Sequence, residues 1–221
     1  MSPSRGRTGV LGGTFDPVHE GHVAAALAAH RAIALDRVLF IPSHQPPHRS
    51  APPVASAFHR FAMVSLAVAP HPELVASDVE LQAPGPSYTA LTLRRLYETG
   101  LRASQLFFIT GTDAFAEIAT WYDYPAVLDL AHFVVISRPG QPFTALSERL
   151  PDLAPRMRLV ADRPPDVTDG PPCAIFLVNA ATPDVSSTGI RERAARGERV
   201  TGLVAPEVEG HIGRHRLYQS R

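Results

Sequence analysis

The chain has 221 residues, 45% of them apolar, which suits one domain with a substantial buried core. Acidic and basic residues balance at 21 each, so the bulk charge gives no reason to expect nucleic acid or an anionic membrane as a partner. Every basic residue counted there is arginine. The absence of lysine excludes Schiff-base chemistry and the glycine-rich phosphate loop that ends in Gly-Lys. Cys173 stands alone, so neither a disulfide framework nor a cysteine zinc site is available. No apolar core of a secretory signal follows Met1–Thr8, and no apolar run approaches the ~20 residues that span a bilayer. The expectation is a soluble, cytoplasmic protein; whether it self-associates is left open.

In chain order, Val10-Leu11 enters a glycine turn, Gly12-Gly13-Thr14-Phe15-Asp16-Pro17-Val18-His19-Glu20-Gly21-His22, and then an alanine-rich segment, Val23–Ala34, that reads as a helix. Arg37–Ile41 reads as a buried strand, and the proline-rich Pro42–Pro53 as a loop. Phe58–Val68 has helical periodicity, while Leu74–Ala76 and Val79–Leu81 are short strand candidates. Gly85–Thr89 breaks the chain before a helix over Ala90–Glu98. Leu106–Ile109 is a strand, followed by Gly111-Thr112-Asp113 and a helix from Ala114. Trp121–Pro125 interrupts that helix, a short helix runs to Leu130, and Phe133–Ile136 is again a strand.

Residues 138–172 are proline-rich and read as irregular, with Met157–Val160 a weak strand candidate. Ala174–Val178 is a strand, Gly189–Arg196 a helix, and Pro206 starts a last helix to about His215. Apolar strands alternating with helices imply an α/β fold: a doubly wound parallel sheet with helices on both faces and a small C-terminal helical piece. The chain reads as a single domain, with residues 7–185 as its core and 186–221 as a C-terminal segment. The loops over Gly12–His22, Pro42–Arg49, Gly111–Asp113 and Val185–Arg191 all follow strands, so they should gather at one rim.

Each candidate site residue has a plain reading beside a functional one. His19 and His22, three apart at a helix start and flanked by glycine, suit phosphate oxygens better than a metal, which would need a third ligand. Ser186-Ser187-Thr188 is an ordinary helix cap, yet Arg191 three residues on can lean towards an anion at that N-terminus. Asp113 either caps a helix or holds a ribose hydroxyl. Trp121 is either an anchor or a stacking platform for a planar ligand, with Tyr122 beside it. His48-Arg49 is a solvated tip or a phosphate contact, and Cys173 reads as inert.

Taken together, His19-Glu20-Gly21-His22 and Ser186-Ser187-Thr188-x-x-Arg191 resemble the nucleotidyltransferase superfamily built on an H-x-G-H phosphate site. Pro46–Arg49, Gly85–Thr89, Gly111–Asp113, Trp121-Tyr122, Leu203–Val208 and Arg216-Leu217-Tyr218 make the chain similar to the bacterial nicotinate mononucleotide adenylyltransferase family. That resemblance implies a Rossmann-like fold and adenylyl transfer from ATP to nicotinate mononucleotide, with Mg²⁺ on the ATP phosphates. It implies His19, His22 and Arg191 as the catalytic set, with Gly12, Gly13, Thr14, Phe15, Gly111, Asp113, Val185, Ser187 and Thr188 also around ATP. His48, Arg49, Thr89, Trp121 and Tyr122 are implied for the mononucleotide. Nicotinamide mononucleotide or phosphopantetheine as acceptor, or a nucleotide sensor without turnover, are the competing readings.

Overall fold

A computed structural model describes residues 6–47, 51–137, 143–161, 164–167 and 172–219. Seven parallel strands form one sheet: β1 (Thr8–Gly13), β2 (Arg37–Pro42), β3 (Leu74–Ala76), β4 (Leu106–Gly111), β5 (His132–Ile136), β6 (Met157–Leu159) and β7 (Ile175–Val178). Their order is β3-β2-β1-β4-β5-β7-β6. The chain therefore winds one way from β1 to β3 and the other way from β4. The switch lies between β1 and β4, where parallel α/β sheets open a crevice at the strands' carboxyl ends.

The strands are apolar on both faces because both are covered. Val10 and Leu11, Val38 and Leu39, and Phe107 and Phe108 each send one side chain into each of two separate cores. One core takes α1 (Glu20–Ile33), α2 (Ala57–Val68), α6 (Ser187–Ala195) and α7 (Pro206–Arg214). The other takes α3 (Thr89–Glu98), α4 (Thr112–Phe115) and α5 (Thr144–Arg149). The C-terminal residues Val200, Val204, Val208, Ile212 and Tyr218 are buried in the same core as Leu11 and Phe40.

Two expectations need correction. Val79–Leu81 is a turn, not a strand, because Glu80 folds inward as a buried acid instead of alternating outward. The segment after β5 is less irregular than its prolines suggest: α5 and a 3-10 turn over Pro151–Arg156 lead into β6, which pairs with β7 at the sheet edge. Prolines at the start of such short helices are tolerated, since their missing N–H would have no helical partner. Among the described residues, no helix is long and apolar enough to cross a membrane.

A buried imidazole at the start of β5 makes the fold sensitive to acid. His132 is 2% exposed and accepts the Ala174 N–H on Nδ1 at 2.9 Å. Burial, then the charges of Arg158, Arg7 and Arg156, push it down to about 4. The unfolded chain binds this proton from about pH 6.5 downward and the folded chain does not, so stability should fall as pH drops from 6.5 towards 4. The expected loss is about 2–3 kcal/mol. His132→Asn, which keeps an acceptor for Ala174 but cannot titrate there, should flatten that part of a denaturant-measured pH profile; an unchanged slope would refute the assignment.

Candidate active site

A cleft of about 940 Å³ opens at the switch point. Its walls come from the carboxyl ends of β1, β4 and β5, with Gly12, Gly13, Thr14, Phe108, Gly111 and Ser137 among them. The starts of α1 and α6 close one side through His19, His22, Ser187 and Thr188. The start of α3 and the aromatic loop close another, through Thr89, Trp121 and Tyr122. Asp113 and Val185 also line it, so thirteen of the expected residues named so far share one space.

The histidine pair is arranged by backbone. His19 caps α1 in extended conformation, and its ring stacks on His22 at a centroid distance of 3.7 Å. The His19 N–H donates to His22 Nδ1 at 3.3 Å. That bond leaves the proton of the neutral His22 ring on Nε2. Burial, reinforced by the neighbouring His19, holds His22 well below the ordinary imidazole range. In the ligand-free protein His22 is therefore a neutral hydrogen-bond donor, not a cation. The N-terminus of α1 is also less open than expected, since the Glu20 N–H already donates to the Leu203 carbonyl at 3.0 Å.

Gly21 is what allows this packing. A Cβ there would stand 3.1 Å from two atoms of the His19 ring and 3.3 Å from the Pro183 carbonyl. The His19 ring would have to shift by a few tenths of an ångström within its stack on His22, because the Pro183 backbone cannot yield as easily.

Ser187 and Arg191 reach the same rim but are engaged with it. Ser187 Oγ donates to the Pro17 carbonyl at 2.8 Å. Arg191 donates to the Asp16 carbonyl at 2.8 Å and to Thr188 Oγ1 at 3.0 Å. The arginine thus converges on the histidine loop from behind, and it is not among the residues that line the cleft. Phe15 also departs from expectation. Its side chain is buried against Phe40 and, edge-on, against His22, its φ is +50°, and it does not line the cleft. His48 and Arg49 lie outside the described residues.

At the aromatic end, Trp121 packs edge-on to Phe108 while lining the cleft, and Tyr122 stacks on Tyr88 at 4.6 Å. Trp121 therefore anchors against a core and also presents surface to the cleft. Cys173 is buried away from it, its thiol pushed up to about 11 chiefly by burial, as suits an inert residue.

Three residues that build the site were not expected. Arg60 is fully buried and donates to the Thr14 carbonyl at 2.6 Å and the Ser43 carbonyl at 2.7 Å, tying the loop after β1 to the loop after β2. Asp16 is fully buried; its carboxylate accepts from Val54 N, Ala55 N and the Tyr218 hydroxyl at 2.8–3.1 Å. Glu80 lines the cleft while 6% exposed, and it accepts the Thr92 hydroxyl. Burial raises its carboxyl above the ordinary range, against the opposing pull of Thr92, Ser87, Arg95 and Arg60. The only sequence signal for Glu80 is an acid set between two apolar residues.

With this geometry in view, the comparisons decide the family. The cytidylyltransferase-like family model matches residues 10–193. The chain is 39% identical to a Roseiflexus sp. (strain RS-1) protein over 96% of this chain and 97% of that one. It is equally 39% identical to one from Leifsonia xyli subsp. xyli, over 98% and 96%. Both carry the name "Probable nicotinate-nucleotide adenylyltransferase". The chain belongs to the nicotinate-nucleotide adenylyltransferases of the cytidylyltransferase-like family. The fold also matches the Plasmodium falciparum nicotinic acid mononucleotide adenylyltransferase complexed with NaAD, with a TM-score of 0.67 over 96% of this chain and 97% of that one. At 15% identity that likeness speaks for the fold alone.

Two substitutions check the site. Gly21→Ala should keep the melting temperature within about 2 °C yet lower turnover at least about tenfold, because it displaces His19 rather than unfolding α1. Glu80→Gln should keep or raise the melting temperature at pH 8, since it retains the hydroxyl contact without a buried charge, whereas Glu80→Ala should lower it. A strongly destabilised Glu80→Gln would mean that the ionised carboxylate is required.

Proposed function

We propose that this protein transfers the adenylyl group of ATP to nicotinate mononucleotide, giving deamido-NAD and pyrophosphate in NAD synthesis. The observation that carries the reading is the division of the cleft. Imidazoles, hydroxyls and two helix starts stand at one end and aromatic rings at the other, in a chain matched along its whole length by adenylyltransferases. A triphosphate suits the first end and a pyridine ring the second.

The reaction asks little of acid–base chemistry. The mononucleotide phosphate has a second pKa of about 6, so near neutrality it is already a nucleophile. One of its oxygens attacks the α-phosphorus of ATP, the bond from that phosphorus to the bridging oxygen breaks, and pyrophosphate leaves with the electron pair. The chain must align the two phosphates and stabilise charge on the bridging oxygen. In this proposal His22 donates Nε2–H to a phosphate oxygen, and His19 holds His22 in that tautomer through its backbone N–H. Ser187, Thr188 and the α6 N-terminus receive the distal phosphates, while Arg191 fixes the histidine loop against them. Asp113 would meet a ribose, and the backbone near Val185 the adenine. Thr89, Trp121 and Tyr122 would hold the nicotinate.

Mg²⁺ fits as a companion of the triphosphate rather than a resident of the protein. The donors at the phosphate end are imidazoles and hydroxyls, whereas magnesium prefers phosphate, carboxylate and water oxygens. Asp113 and Asp184, the carboxylates flanking that end, are the side chains able to join its shell. When bound it neutralises phosphate charge. The cytoplasm is the setting that this reading implies.

Incubation with ATP and Mg²⁺ should release pyrophosphate in the presence of nicotinate mononucleotide, more slowly with nicotinamide mononucleotide and not with phosphopantetheine. His22→Ala should lower kcat by about 10²-fold or more with little change in the KM for the mononucleotide. Pyrophosphate release without any acceptor, or a KM effect alone, would overturn the proposal.

A further inference from the structure

Three histidines stand together away from the cleft. His59 lies on α2, His211 lies on α7, and His215, four residues on, is that helix's C-cap. One ring nitrogen from each falls within 4.8 Å of the others. His59 Nδ1 and His211 Nε2 are 3.1 Å apart, and the His215 ring centroid is 4.4 Å from that of His211 and 4.9 Å from that of His59. None of the three lines the nucleotide cleft.

We propose that His59, His211 and His215 form a binding site for a divalent transition-metal ion of the zinc, cobalt or nickel kind, which staples α2 to α7. Imidazole nitrogens select such ions over magnesium and calcium, which take oxygen ligands. Two nitrogens bound at about 2.0–2.1 Å on a tetrahedral ion stand about 3.3 Å apart. The His59–His211 pair is already near that separation. His215 is exposed and can turn its ring inward without disturbing a core. Its exposure also leaves the fourth position to water or an outside ligand. Arg214, on the same helix, opposes a cation, so the affinity is expected to be moderate.

Without a metal, one imidazole–imidazole hydrogen bond joins His59 to His211. An ion would add bonds to all three rings. Its effect would reach the cleft through immediate neighbours. Arg60, next to His59, holds the Thr14 and Ser43 carbonyls. Tyr218, three residues after His215, holds Asp16. The staple therefore joins the two elements that anchor the histidine loop, and it takes no part in the chemistry.

The whole protein, stripped with chelator and then dialysed against micromolar Zn²⁺, should retain one zinc per chain. Co²⁺ in its place should give the visible absorption of a tetrahedral site. Saturating zinc should raise the melting temperature by about 5 °C. His211→Asn and His215→Asn should each weaken binding at least tenfold while keeping the far-UV circular dichroism of the parent, and His22→Asn should bind zinc normally. No retained metal would overturn the site and leave a hydrogen-bonded histidine cluster. So would metal that persists in the His211→Asn and His215→Asn variants, or that is lost in His22→Asn.

Discussion

A buried carboxylate organises the active end of this molecule. Asp16 has no access to water, and a charge so placed is tolerated only when donors surround it. It finds three of them: the amides of Val54 and Ala55 and the hydroxyl of Tyr218, 202 positions away. Hydrogen bonds to a charged group contribute about 1.5–3 kcal/mol each. The loop between β1 and α1 is thereby fixed at once from the segment that leads into α2 and from the residues that follow α7. Burial and the facing carboxylate push the Tyr218 phenol far up, so it stays a donor at any ordinary pH. Arg60 completes the arrangement with the opposite charge, holding two carbonyls at the ends of β1 and β2. Around these two ions the glycine turn becomes a defined surface instead of a mobile loop.

Among the described residues, the surface so defined carries no cluster of cations at the phosphate end proposed above. In a chain that has no lysine, arginines would be the natural substitute at a nucleotide site. Here Arg191 directs its guanidinium to the Asp16 carbonyl and Thr188, and burial holds His22 well below the ordinary imidazole range. At the starts of α1 and α6, what faces the cleft is a set of imidazole and hydroxyl groups. Such donors are easily buried and need not reorganise as charge moves from one phosphate oxygen to the next. The long-range field of a lysine cluster is absent, and close contact takes its place.

Much of this was legible in the sequence, for identifiable reasons. A strand buried on both faces leaves a continuous apolar run, so β1, β2, β4, β5 and β7 could be located, and a parallel sheet places every loop that follows them at one rim. His19 and His22 stood out because a glycine-flanked imidazole pair at a helix start serves neither packing nor helix propensity. The features that escaped notice depend on how distant elements dock. Nothing near Arg60 in the chain says that its guanidinium will be enclosed between two strand ends. Glu80 looked like the polar face of a strand until α3 brought Thr92 against it. The three-residue β6, with Leu159 largely exposed, showed only as a weak strand candidate over Met157–Val160, because so short a run among prolines carries little apolar pattern. Phe15 was placed near ATP by the family resemblance alone, whereas its ring packs against Phe40 and His22.

The span between Asp16 and Tyr218 bears on the order in which the molecule comes together. Closing so long a loop costs only slightly more entropy than closing a short one, because the penalty grows with the logarithm of length. It does, however, require that nearly everything between be in place first. The β1–α1–β2 unit and the β4–β5 pair can assemble from nearby segments, while the glycine turn waits for the docking of α7. Val54 and Ala55 reach the Asp16 carboxylate from the loop before α2, and Tyr218, four residues past the end of α7, reaches it from the opposite side once that helix is docked.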